Sequence, residues 1–224
     1  NKILYKRRIN TWSMYHRIGG DKFFSSLLHY FNGALSIRNM SYSNIGLQKQ
    51  LERRIPKKKI DVIGTAIDEK KIFESKGNLK NFDKESFLKK YNIENCLILL
   101  QVMRLTAIKK PHIFLELIKK LVQKEKKIKL VLIGGGELEQ DLKRLFIKAN
   151  LLEFVLFLGP IYDENELAKW FAVSNIFVVP TCIGLSAHHS FCYGLPVVTD
   201  NSRKNQASEF DILQDRWTCL LYKE

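Results

Sequence analysis

KLVLIGGGELEQDLKRL, from Lys129 to Leu145, decides how this 224-residue chain is read. Its first part is an unbroken aliphatic run, as expected of a strand covered on both faces of a parallel sheet. Three glycines end the run. ELEQDLKRLFIKAN (Glu137–Asn150) then reads as a helix. The unit is strand, tight turn, helix.

The same unit recurs on either side. Upstream, CLILLQV (Cys96–Val102) is another buried-type strand, and PHIFLELIKKLVQKEK (Pro111–Lys126) has apolar residues at near-helical spacing with Pro111 suited to a first turn. Downstream, EFVLFLG (Glu153–Gly159) is a third strand. DENELAKWFAVS (Asp163–Ser174) is a helix headed by acidic residues, which suits its positive N-terminal dipole. NIFVVP (Asn175–Pro180) is a fourth strand, SAHHSFCYG (Ser186–Gly194) a short helix and LPVVT (Leu195–Thr199) a fifth strand. Strictly alternating strands and helices predict an α/β fold, a Rossmann-like doubly wound parallel sheet with right-handed crossovers.

The first 68 residues read differently. The segment up to about Tyr30 is basic and partly amphipathic, expected as helix interrupted at Gly19–Gly20. ALSIR (Ala34–Arg38) reads as a strand, SNIGLQKQLERRI (Ser43–Ile55) as a helix capped by Ser43 or Asn44, and KKIDVIGTAID (Lys58–Asp68) as a strand running into a glycine-containing turn. This is the tail of a second α/β domain. The polar stretch between them carries a helix, FDKESFLKKY (Phe82–Tyr91), with Asp83 as N-cap. The expected division is 1–68, a connector at 69–92, and the regular domain at 93–224.

Composition bounds the function. Apolar residues make up 46% and charged residues 27%, enough for a sizeable core. No apolar run is long enough to span a bilayer, and no secretory signal is visible. The absent initiator Met suggests an excised or truncated segment. Four cysteines without a CxxC pair suit buried reduced thiols in a cytosolic protein. The net charge is +14, and residues 1–60 carry thirteen Lys/Arg against two acidic residues. Such a field suits an anionic membrane surface or a merely solvated face. Nucleic acid ranks behind both, because neither zinc-finger spacing nor interleaved aromatics accompany the charge.

Ligands of doubly wound sheets bind beyond the carboxyl ends of the strands. Three corners there carry unusual residues. In VMRLTAIKKPH, Arg104 follows a strand directly, and Lys109 and Lys110 precede a helix; fixed cations suit a diphosphate. In LIGGGELE, Gly135 and its neighbours let the backbone approach a ligand or an adjacent loop, but neither dinucleotide nor P-loop spacing is present. In PTCIGLSAHHSF, Gly184, Leu185 and Ser186 sit where a helix should begin, with amides and a hydroxyl available to phosphate. His188, His189 and Cys192 also invite a metal or a Cys–His nucleophile. No distant Cys/His pair completes a tetrahedral set and nothing marks the thiol as activated, so neither is expected.

These pieces, in this order, resemble family 4 of the retaining glycosyltransferases, which have the GT-B architecture of two Rossmann-like domains facing a cleft. RLTAIKKPHIFLELI (Arg104–Ile118) is similar to the family's G-R-L-x-x-x-K-G segment. KLVLIGGGELEQDLKRL is similar to its L-x-I-x-G-x-G segment. GLSAHHSFCYGLPVVTD (Gly184–Asp200) is similar to E-G-F-G-L-x-x-x-E-A-M-A-x-G-x-P-V-V. KKIDVIGTAID resembles the junction that closes the acceptor domain.

The resemblance implies a nucleotide-sugar donor and a glycan or lipid-linked acceptor. The transfer would retain anomeric configuration without metal or other cofactor, in cell-surface polysaccharide synthesis at the cytoplasmic face of a membrane. It implies that Arg104 and Lys109 hold the diphosphate, that Gly184, Leu185 and Ser186 form the phosphate and sugar loop, that Gly135 lies beside them, and that Ile161 and Tyr162 begin the base-binding loop. Glu209 in ASEFDIL resembles a structural Glu. The departure is that Thr181 and His189 stand where the family has its Glu-x7-Glu pair. His189 can still hydrogen-bond a ribose hydroxyl. Thr181 offers no charge to the sugar. The departure leaves open a non-catalytic nucleotide-sugar-binding module, and the shared donor fold leaves open a nucleotide-sugar epimerase on the same architecture.

Overall fold

The aliphatic runs become strands, and their order across the sheet sets where a ligand can bind. The computed structural model describes residues 12–15, 36–124 and 127–223. The chain divides into two units: Asn1–Thr65 with Ala207–Asp211, and Ala66–Gln206 with Ile212–Glu224.

The first unit carries a three-stranded parallel sheet, β1 (Trp12–Tyr15), β2 (Arg38–Ser41) and β3 (Ile60–Val62), in that order. Helix α1 (Asn44–Glu52) lies between β2 and β3; its N-cap is Ser43, whose side chain accepts from the Gly46 amide at 3.1 Å. Residues 12–15 are strand, where the sequence suggested helix; the rest of the segment to Tyr30 lies outside the described residues. The strand expected at Ala34–Arg38 starts at Arg38 instead. Its inward positions are the buried polar residues Asn39 and Ser41, which an apolar reading passes over.

The second unit carries six parallel strands: β4 (Leu97–Val102), β5 (Ile128–Ile133), β6 (Val155–Gly159), β7 (Ile176–Val178), β8 (Val197–Asp200) and β9 (Cys219–Tyr222). Their order is β6-β5-β4-β7-β8-β9. Leu97 pairs with Ile128 at one end of the β4–β5 ladder and Val102 with Ile133 at the other, while Leu99 and Leu100 face Ile176 and Phe177 across β7. The order runs outward from β4 in one direction, then restarts beside it at β7. This is the doubly wound arrangement, with its switch point between β4 and β7.

The crossovers are α4 (Ile113–Val122), α5 (Glu139–Lys148), α6 (Glu164–Val173) and α7 (Ser186–Cys192). On one face, Phe114 and Ile118 of α4 and Leu142 and Phe146 of α5 pack on Leu99, Leu130 and Leu132 in one core. Each such side chain contributes roughly 1.5–3 kcal/mol by leaving water. Asp163 caps α6 through the Asn165 amide at 3.2 Å.

Residues 69–92 form two helices, α2 (Glu69–Gly77) and α3 (Lys84–Lys90), the latter capped by Asp83. Both belong to the second unit. Phe87 and Tyr91 set their rings 4.8 and 4.7 Å from the buried Trp170 of α6, edge to face. The stretch read as a connector thus packs as part of the larger unit, held by aromatic burial rather than by its polar majority. The terminal strand β9 carries no alternation or length that would announce it, and its Leu220 faces solvent.

Candidate functional site

All six strands of the larger sheet run the same way, so the loops after β4, β5, β6, β7 and β8 share one rim. At the switch point the loops after β4 and β7 diverge, and Lys109 spans them. It sits in a 3-10 turn (Ala107–Lys109), and its ammonium donates to the carbonyl of Cys182 in the β7 loop. The same Nζ lies 3.6 Å from where a Cβ on Gly184 would stand. Lys109 and the Gly184–Ser186 bend are therefore together. Arg104 follows β4 on the same rim; its guanidinium is exposed and has no hydrogen-bond or ion-pair partner among the described residues.

Helix α7 begins at Ser186, as the sequence suggested. Its N-cap position, Leu185, offers no side-chain cap, so the first amides of the helix lack the usual side-chain acceptor. The bend is pinned from beneath. The Ile183 amide donates to Gln206 Oε1 at 2.8 Å, and the Tyr222 hydroxyl donates to the Pro180 carbonyl at 2.7 Å.

The glycine run after β5 serves the neighbouring loop. A Cβ on Gly134 would lie 1.9 Å from the Met103 carbonyl oxygen, and one on Gly136 would lie 2.5 Å from that of Leu105. Gly135 is less confined: its nearest neighbour would be Glu139 Oε2 at 3.4 Å, and its carbonyl accepts from the Leu105 amide at 3.0 Å. After β6, Ile161 is half-buried and Tyr162 is 92% exposed, its ring free of the core.

Thr181 and His189 are each held by a partner other than Lys109. Thr181 is fully buried, and its hydroxyl donates to the Asn205 carbonyl at 3.5 Å. The structure thus turns it inward, toward the loop after β8. The His189 ring stacks on Phe171 of α6, centroids 5.9 Å apart, and its Nε2 lies 3.4 Å from Glu164 Oε2. It faces the start of α6, next to the loop that carries Ile161 and Tyr162. Glu209 is buried and belongs to the first unit.

The thiols differ from expectation in one respect: Cys182 and Cys219 are buried, while Cys96 and Cys192 are half-exposed; all four are free. Burial, followed by the charge of Glu69, pushes the Cys192 thiol up, the opposite of an activated thiol. Among the described residues, no three His, Cys, Asp or Glu side chains gather to hold a metal ion. None of the described helices is long and apolar enough to cross a membrane.

Sequence reasoning missed Gln206, Tyr222 and Glu164. None belongs to a motif; each matters through a partner far along the chain or on another helix.

Residues 83–211 match the family described as glycosyl transferases group 1. No curated protein sequence matches the chain. Among solved structures, the Anabaena protein HepE (Alr3699) in complex with UDP superposes with a TM-score of 0.77 at 15% identity, covering 98% of this chain and 60% of its own. A glycosyltransferase from Rickettsia africae gives 0.76 at 17% identity, covering 99% and 59%. The C-terminal domain of the Francisella tularensis group 1 protein LpcC gives 0.53 at 19%, covering 63% and 75%. The chain spans about three fifths of the length of the first two.

Proposed function

Because the chain belongs to the glycosyl transferases group 1 family, we propose that the switch-point rim binds a nucleotide-sugar donor and that the whole protein transfers its sugar, with retention, to a glycan or lipid-linked acceptor. The observation that carries this reading is Lys109 bridging the β4 and β7 loops beside an uncapped helix start. A leaving diphosphate carries growing negative charge. Preorganised cations and main-chain donors meet that demand without an added group.

In this reading Arg104 and Lys109 take the diphosphate, with the amides of Gly184, Leu185 and Ser186 beside them. Gly135 borders the sugar. His189 takes a ribose hydroxyl, and Ile161 with Tyr162 lines the base. A complex of HepE with UDP-glucose is consistent with a donor of this class. The acceptor and the pathway, cell-surface polysaccharide at a cytoplasmic membrane face, follow from the family resemblance and the basic first quarter.

One observation favours a second reading, a nucleotide-sugar-binding module without turnover. Thr181 stands where the family carries a carboxylate near the sugar, and it is buried on Asn205.

Arg104→Ala is the cleanest test, since the guanidinium supports nothing else among the described residues. Calorimetry with UDP, GDP and ADP should show the tightest of the three weakened about tenfold to a hundredfold, matching a charged contact of roughly 1.5–3 kcal/mol. Unchanged affinity overturns the donor site. Binding with neither transfer nor donor hydrolysis by the full protein selects the module, and interconversion of free donor selects the epimerase.

A further inference from the structure

Gln206 is fully buried, and its amide joins two loops of the rim. Its Oε1 accepts from the Ile183 amide at 2.8 Å. Its Nε2 donates to the Asp200 carbonyl at 2.8 Å, with Thr199 Oγ1 and Asp200 Oδ1 each at 3.1 Å. The first contact holds the loop after β7; the others hold the end of β8. The partners fix which way the amide faces, since an N–H needs the oxygen and a carbonyl needs the NH2 group.

The loop it holds is not relaxed. Cys182, one residue before Ile183, is a non-glycine residue at φ 53°, in the left-handed region. Such a conformation persists only where surroundings over-determine it. Here Lys109 takes the Cys182 carbonyl from one side and Gln206 takes the Ile183 amide from the other. The Thr181 hydroxyl adds a third tie, to the Asn205 carbonyl.

We propose that Gln206 is a positioning residue for the donor: it clamps the loop after β7 to the end of β8, so that the Gly184–Ser186 bend stands at a fixed place beside Lys109. Only Gln and Asn side chains carry an acceptor and a two-hydrogen donor on one planar group. Asn is one methylene shorter. A Glu at 206 accepts from Ile183 but has nothing to give Asp200, and sets a second carboxylate against it. The inference rests on the donor reading of the bend, and it adds a requirement that no motif of that reading contains.

The test is Gln206→Met in the full chain, which keeps the volume and removes both amide functions. Hydrogen exchange should quicken about tenfold or more within residues 181–186, against little change in β4 and β5. The affinity for whichever of UDP, GDP and ADP the wild-type chain binds tightest should fall by about tenfold, and kcat of the full protein should fall further than KM rises, as expected when preorganisation is lost. If the Met variant does not fold, Gln206→Asn should show the same changes in smaller measure. Unchanged exchange in 181–186 overturns the clamp, while Arg104→Ala still reports on the donor site. Faster exchange with unchanged nucleotide affinity, while Arg104→Ala weakens binding, overturns the positioning role alone. If Arg104→Ala also leaves affinity unchanged, the donor reading and this proposal fall together.

Discussion

The rim has two halves, and they are closed by different means. On the β6-β5-β4 side the loops are joined main chain to main chain: the Gly134 amide donates to the Gly159 carbonyl at 2.8 Å, the Leu105 amide to Gly135 at 3.0 Å and the Leu138 amide to Leu105 at 3.1 Å. On the β7-β8-β9 side, beside a main-chain bond from the Asn201 amide to the Tyr222 carbonyl at 2.9 Å, the loops are held by side chains reaching backbone: Thr181, Gln206 and Tyr222, with Lys109 reaching across from the β4 loop. A Cβ on Gly134 or Gly136 would stand 1.9 or 2.5 Å from a main-chain oxygen of the β4 loop, so the first half needs glycine at these positions. The second needs particular functional groups at particular reach. The first half serves as a rigid floor, and the second carries the bend proposed to meet the ligand.

The largest effect should come from filling the floor. Gly134 has φ 125°, and an added Cβ would stand 1.9 Å from a main-chain oxygen that cannot move aside cheaply. Gly134→Ala should cost about 2–4 kcal/mol in denaturant unfolding. Gly135→Ala, whose Cβ would meet only the flexible end of Glu139 at 3.4 Å, should cost less than about 1 kcal/mol. Equal costs at the two positions would erase the distinction between a backbone-closed floor and an ordinary glycine-rich turn.

That contrast explains what could be read from the sequence. Leu97–Leu100 and Leu130–Ile133 are continuous aliphatic runs because both sheet faces are covered, so the strands and their alternation with helices were legible. Gly134–Gly136 was legible as a turn. Asp83 and Ser43 were legible as caps, because capping is local. Arg104 and Lys109 stood out as cations following a buried strand. The ties of the second half were not legible. Gln206 lies 23 residues from the amide it accepts from, and Tyr222 lies 42 from the carbonyl it serves. Neither distance leaves a period or a motif. Thr181 was read by alignment to a family carboxylate, whereas burial turns it toward Asn205. Of the helices in 69–92, Lys84–Lys90 was legible with its cap and Glu69–Gly77 was not; the ring contacts of Phe87 and Tyr91 with Trp170, which bind the stretch to the larger unit, leave no local signal.

A smaller effect sharpens the side-chain half. The Tyr222 hydroxyl donates to the Pro180 carbonyl just before the bend. Tyr222→Phe keeps the ring and removes that donor, so it should cost about 1 kcal/mol in the same unfolding measurement. Hydrogen exchange should quicken within 181–186 rather than in β5. A loss spread evenly over both halves would mean that the side-chain ties stabilise the sheet as a whole and do not act on the loop.

The smallest expected change distinguishes ties that hold from contacts that merely fill. Tyr193 follows α7; its ring stacks on Phe171 at 5.1 Å, and its buried hydroxyl has no hydrogen-bond partner among the described residues. Burial, then the charge of Glu164, pushes its pKa up to about 12 from an ordinary 10.0. The unfolded chain therefore releases this proton near pH 10 while the folded chain keeps it. Between these values the folded state binds more protons, so its stability falls as pH rises. Tyr193→Phe removes that alkaline loss. At neutral pH it should be neutral or slightly stabilising, since no buried partner is orphaned by it. Unfolding curves at pH 7 and pH 11 check both points. A clear loss at pH 7 would show that the hydroxyl is tied into the rim after all, and would place Tyr193 with Gln206 and Tyr222 rather than with the ring packing of α6.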